Sequence, residues 1–156
     1  MISIRNYLFE TNSSSVHALV IPKDAAVHFP SRVVLSGGEY GWEEDTEYDT
    51  LNYIYQACVD RGQDELQKLY AYLKRHNIEF TENYSTRFPY GYIDHDNEVP
   101  LDELFKNESM LDRFLFSDNS CVVTGNDNVD FDEYSVEARV EENYPEDKYD
   151  ILYKYN

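Results

Sequence analysis

A net charge of −18 on 156 residues, from 31 Asp and Glu against 13 Lys and Arg, constrains this chain more than any other feature. Each surplus carboxylate repels the others and weakens the compact state, so a fold carrying this charge has to spread it over a surface backed by a substantial core. The chain has the means: 42% of its residues are hydrophobic, and 15 tyrosines run through the acidic stretches. An acidic disordered tail carries few aromatics. The same sign argues against a direct grip on nucleic acid or anionic lipid, both of which call for surface Lys and Arg. It raises the potential that steers basic partners inward.

At this length the expectation is one domain spanning residues 1–156. Cys58 and Cys121 lie far apart, in no metal-like spacing, and read as free buried thiols in a reducing cytoplasm. The start, Met1-Ile2-Ser3-Ile4-Arg5, lacks the apolar run of a signal peptide, and nothing approaches the roughly 20 apolar residues of a membrane span. A soluble, intracellular protein without a cofactor is expected.

Charge is placed unevenly. Residues 1–38 hold three basic and two acidic groups, whereas Glu39-Tyr40-Gly41-Trp42-Glu43-Glu44-Asp45-Thr46-Glu47-Tyr48-Asp49 holds six acids and no base. Ten more acids fall in the last 36 residues. Val16-His17-Ala18-Leu19-Val20-Ile21, stopped by Pro22, and Arg32-Val33-Val34-Leu35, stopped by Gly37-Gly38, read as strands. Between Thr50 and Asn77 the period becomes helical: Leu51, Ile54, Tyr55, Cys58 and Val59 share a stripe, Gly62 breaks it, and Leu66, Leu69, Tyr70 and Leu73 make a second. Asp64-Glu65 and Lys74-Arg75-His76 suit the dipole of that second helix.

Further on, residues 78–81, 88–93 and 120–125 read as strand pieces, and a third helix opens after Pro100 and runs through Leu115. Tyr134, Val136, Ala138 and Val140 alternate with Ser135, Glu137, Arg139 and Glu141, which predicts a strand with one wet acidic face, followed by another over residues 149–153. The pattern as a whole predicts a single compact α+β domain with a mixed or antiparallel sheet and about three helices.

Chemistry is most concentrated in Phe9-Glu10-Thr11-Asn12-Ser13-Ser14-Ser15-Val16-His17. Hydroxyl and amide groups beside a histidine supply a nucleophile and a base for acyl or phosphoryl transfer or for nucleotide binding, with Thr11, Asn12, Ser13, Ser14, Ser15 and His17 as candidates. Against this, Ser15 and His17 on one strand face stand roughly 6 to 7 Å apart, and no G-x-S-x-G elbow is present. The plainer reading is a hydroxyl-rich turn before a strand.

That string, with Arg5-Asn6, Gly41-Trp42-Glu43 and Thr124-Gly125-Asn126-Asp127-Asn128, resembles a group of uncharacterised small acidic proteins of bacteriophages and mobile elements that carry an N-terminal F-E-T-N-S-S-S-x-H string. The resemblance brings no site residues with it. It implies a phage setting, the cytoplasm of an infected bacterial host, where small acidic anti-CRISPR proteins and other DNA mimics block host nucleases.

Metal signals are weak. Asn126-Asp127-Asn128-Val129-Asp130-Phe131 with Glu137 imitates a calcium loop but puts Phe131 where Gly is needed. Asp94-His95-Asp96, His28 and His76 have no zinc-like spacing and read as structural. No metal is expected. The acidic blocks are either a solvated face or a binding surface in which Tyr and Trp supply rigid contact area and carboxylates replace phosphates against a basic groove. On the second reading the partner is a basic nucleic-acid-binding protein, a CRISPR effector or another defence nuclease. The surface residues would then be Glu39, Tyr40, Trp42, Glu43, Glu44, Asp45, Glu47, Tyr48, Asp49, Glu137, Glu141 and Glu142. An enzyme using Ser13, Ser14, Ser15 and His17, or an acidic phage structural or assembly protein, are the alternatives.

Overall fold

The computed structural model describes residues 15–40, 49–83, 92–93, 98–126 and 135–155. Its elements follow in the order β1 (Ser15–Pro22), β2 (Arg32–Leu35), β3 (Glu39–Tyr40), α1 (Thr50–Arg61), α2 (Gln63–Arg75), β4 (Glu79–Glu82), β5 (Tyr92–Ile93), α3 (Leu101–Lys106), α4 (Glu108–Phe116), β6 (Cys121–Asn126), α5 (Val136–Asn143) and β7 (Tyr149–Lys154). The fold is α+β. An antiparallel sheet of order β6-β1-β7 is accompanied by two parallel pairs, β2-β4 and β3-β5.

β1 is the centre of the sheet, and every one of its residues is buried. Alternate side chains point to opposite faces. Leu19 and Ile21 enter the main core with Leu51, Ile54, Leu69, Leu73, Leu104 and Phe114 from the helices, while Val16, Ala18 and Val20 join Val123, Val136 and Val140 in a second cluster beneath α5. A strand covered on both faces has to read as a continuous apolar run, which is what residues 16–21 supply.

The helical hairpin forms because its ends are satisfied locally. Asp49 caps α1 by accepting from the N–H groups of Leu51 (2.9 Å) and Asn52 (3.3 Å). Gly62, at φ 126°, donates its N–H to Cys58 O and separates the two helices in a conformation closed to most L side chains. α1 buries Tyr53 and Ala57 beside Leu51, Ile54, Tyr55 and Cys58, whereas Val59 of the expected stripe is 38% exposed. Both cysteines are free thiols, Cys58 buried and Cys121 half-buried.

The third helix divides at Asn107, whose side chain accepts from Met110 N–H and starts α4. One expectation is corrected outright. Residues 134–141, read as an alternating strand, are helical from Val136 onward: α5 forms because Ser135 accepts the Ala138 N–H at 3.1 Å and Val136 and Val140, four apart, dock as one helical face on the sheet. Removing that cap by Ser135→Ala should lower the unfolding free energy by about 1 kcal/mol, while Ser135→Asp should leave it nearly unchanged. Urea unfolding of the two variants checks this, and equal stability of Ser135→Ala and the parent would deny the cap its role.

Candidate functional site

The inner face of β1 continues past Leu19 to His17 and Ser15. In register, His17 stands opposite Thr124 on β6 and Lys154 on β7. Directly opposed residues share a face, so Thr124, His17 and Lys154 form a polar row across all three strands, with Ser15 beside it. All four have zero exposure. Lys154 Nζ donates to Ser15 Oγ at 2.8 Å and to Ser15 O at 3.3 Å. His17 Nδ1 lies 2.7 Å from the hydroxyl of Tyr53, which α1 brings across the core and which Tyr40 meets edge-on. Burial, and secondarily the neighbouring Tyr40, hold the Tyr53 phenol well above its ordinary pKa.

A serine hydroxyl 2.8 Å from a lysine amine is the spacing of a nucleophile and its base. The rest of the arrangement departs from a catalytic one: His17 turns to Tyr53, and Ser15 is enclosed. What the row does supply is hydrogen-bond partners for polar groups at the end of an apolar strand, where an unsatisfied one costs about 1–3 kcal/mol.

The opposite side of the sheet carries the charge. α5 lays Val136 and Val140 on β1 and leaves Glu141 and Glu142 exposed and Glu137 half-exposed. Between α5, the turn after it and β7 runs an open groove of about 880 Å³, whose lining includes the carboxylates of Glu137, Glu141, Glu146, Asp147 and Asp150, the rings of Tyr144, Tyr149 and Tyr153, and the cation Lys23. Tyr144 and Tyr149 pack edge to face at 5.3 Å. Tyr153 stacks on Tyr155 at the same separation. Burial raises Tyr153 to about 12, helped by Tyr155 and by the negative field of Glu137, Glu141 and Glu146. Asp150 is paired with Arg113 at 3.3 Å and, more loosely, with Lys23 at 3.9 Å. Among the described residues no cation pairs with Glu137, Glu141, Glu142 or Asp147.

The first acidic block is less uniform than its sequence. Glu39 is exposed, Tyr40 is a core residue at 6% exposure, and Asp49 serves as the α1 cap. Trp42, Glu43, Glu44, Asp45, Glu47 and Tyr48 lie outside the described residues, as do Thr11, Asn12, Ser13 and Ser14, the Asp94-His95-Asp96 turn and most of the calcium-like loop. Sequence reasoning found Ser15 and His17 but missed Tyr53, Thr124 and Lys154. Along β7 the apolar set is Tyr149, Ile151 and Tyr153, so alternation alone points Lys154 outward; its inward place is set by the register that puts it opposite His17. No protein-family model matches this chain, and comparison with curated proteins and with solved structures likewise gave no match.

Two expectations follow from the buried groups. Tyr53→Phe removes the hydroxyl 2.7 Å from His17 Nδ1 and should cost about 1 kcal/mol or more, read from urea unfolding. The pH dependence has a definite sign. Burial lifts the Cys58 thiol to about 12, as it does Tyr153, and holds Tyr72, whose hydroxyl donates to Asp112, above the ordinary range as well. The unfolded chain releases these protons from the ordinary thiol and phenol values of 9.0 and 10.0 upward while the folded chain keeps them. The stability they contribute is therefore intact below about pH 9 and is lost as pH rises toward 12. A urea midpoint that climbs through that window would contradict the assignment.

Proposed function

We propose that the protein is a non-enzymatic binding protein whose acidic, tyrosine-lined face occupies the basic nucleic-acid channel of a partner, in the manner of phage proteins that block CRISPR effectors and other host defence nucleases. The observation that carries this reading is the α5/β7 groove, where, among the described residues, five carboxylates, one lysine and several tyrosine rings line one concavity. Carboxylates accept the same Arg and Lys donors as backbone phosphates, and tyrosine faces attract the cations they bring. Self-repulsion within so acidic a fold is offset when a basic channel neutralises it, so the partner gains from the charge that destabilises the free protein.

The enzyme reading has the Ser15–Lys154 contact in its favour. Zero exposure of both residues, and the engagement of His17 by Tyr53, weigh toward structure. The two readings separate experimentally: in the binding reading, loss of Lys154 or His17 acts through stability alone.

A DNA-cleavage assay run on a panel of CRISPR effectors and other defence nucleases tests the proposal. Excess protein should inhibit at least one member competitively with DNA, and inhibition should weaken steeply between about 50 and about 200 mM salt. Glu137→Gln, Glu141→Gln and Glu142→Gln combined should weaken inhibition about tenfold or more, ~1.4 kcal/mol, with thermal stability unchanged or raised. Inhibition insensitive to salt and to the triple substitution, or absent throughout the panel, would sink the reading.

A further inference from the structure

α2 is followed by its cap His76, whose ring packs against two aromatics. Phe29 stacks on it at 4.3 Å and 18°, and Tyr72 meets it at 4.7 Å. This packing aims Nε2 at α4, where Glu108 and Asp112 stand four residues apart and so share a helix face. Nε2 lies 3.0 Å from Glu108 Oε1 and 3.3 Å from Asp112 Oδ1, and the three ligand atoms all fall within 4.8 Å of one another. Tetrahedral zinc with bonds of about 2.0–2.2 Å sets its ligand atoms about 3.4 Å apart, so a metal fits between them with small adjustments.

Both carboxylates have further partners, Asp112 at the oxygen that faces His76 and Glu108 at its far oxygen. The Tyr72 hydroxyl donates to Asp112 Oδ1 at 2.7 Å, and Arg75 reaches the far oxygen of Glu108, Oε2, at 3.3 Å. Outer partners of this kind orient ligands and fix their geometry. Two like charges at this helical spacing repel; a bound cation relieves that repulsion, and the protein's overall charge of −18 favours its arrival.

We propose that His76, Glu108 and Asp112 bind one divalent transition-metal ion of the zinc class, tying the C-terminus of α2 to α4. One imidazole nitrogen with two carboxylate oxygens selects such ions over calcium, which prefers oxygen alone. Glu108 is half-exposed and leaves the fourth position to water. Sequence spacing sets His76 aside as a zinc ligand because its partners, Glu108 and Asp112, lie more than 30 positions away on another helix.

The test is calorimetric titration of chelator-treated protein with Zn2+, and with Co2+ for its visible spectrum. The expected result is one tight site, a rise in Tm and the absorption bands of four-coordinate cobalt. His76→Ala and Glu108→Gln should each weaken Zn2+ binding by about 10- to 100-fold, and Tyr72→Phe, which keeps the ring and loses the positioning hydroxyl, by about tenfold. Glu108→Gln changes an exposed side chain almost isosterically, so it carries the test should His76→Ala fail to fold by circular dichroism. Absence of a one-to-one site overturns the proposal. So do equal Zn2+ affinity in Glu108→Gln and the parent, which would place the ions on scattered surface carboxylates, and Ca2+ binding as tight as Zn2+.

Discussion

The structure depends on β1 being buried on both faces. Its odd-numbered residues belong to the core shared with α1, α2, α3 and α4, its even-numbered ones to the smaller core beneath α5, and the strand is the wall between them. Both of its flanks are paired, by β6 and β7. Its exit is fixed by Arg113, which donates to Pro22 O at 2.8 Å while pairing with Asp150. The cover of the second core is fixed by Arg139, which reaches from α5 to Thr124 O at 2.8 Å. Gly125 makes that approach feasible: a Cβ there would lie 2.8 Å from both Arg139 Nη2 and Val136 Cγ2.

This arrangement explains how so acidic a chain holds together. The sheet brings polar groups inside only where they meet one another, at the Thr124–His17–Lys154 row and its partners Ser15 and Tyr53. The carboxylates of α5 go outward. A strand with a wet face would have alternated its acids with the buried side chains of one sheet; α5 instead keeps Glu137, Glu141 and Glu142 off its buried Val136–Val140 face, and Glu137 and Glu141 line one groove with the acids of β7 and the turn before it. The groove is thus a consequence of docking a short amphipathic helix on an edge already lined with tyrosine. Charge of one sign in a concave site focuses its field, which is what a basic partner would meet.

Much of the fold was legible in the residues. β1, β2 and β6 announce themselves by β-branched runs ended by Pro or Gly, and the hairpin of α1 and α2 by its period and by Gly62. α5 was misread because Tyr134, Val136, Ala138 and Val140 fit a period of two, yet the pair Val136 and Val140 fits a helical turn equally. Ser135 before Glu137 was the signal that separates the two. Tyr53 escaped because α1 is buried on several sides, so its stripe does not single out one face. Lys154 meets Ser15 across 139 positions of chain, and no local pattern encodes a pairing that distant. The first acidic block looked uniform, but Tyr40 and Asp49 turn out to serve the core and a helix cap.

The central claim, that the α5/β7 face is the one built to meet a basic partner while the Ser15–His17–Lys154 row serves the fold, can be mapped in one experiment. Backbone amide NMR spectra recorded while a short arginine-rich peptide is added at low salt should shift at residues 137–153, in α5, the following turn and β7, and those shifts should collapse as salt is raised. Amides of Ser15 and His17 should stay in place. Shifts centred on Ser15 and His17, or spread evenly over every acidic surface, would contradict the account.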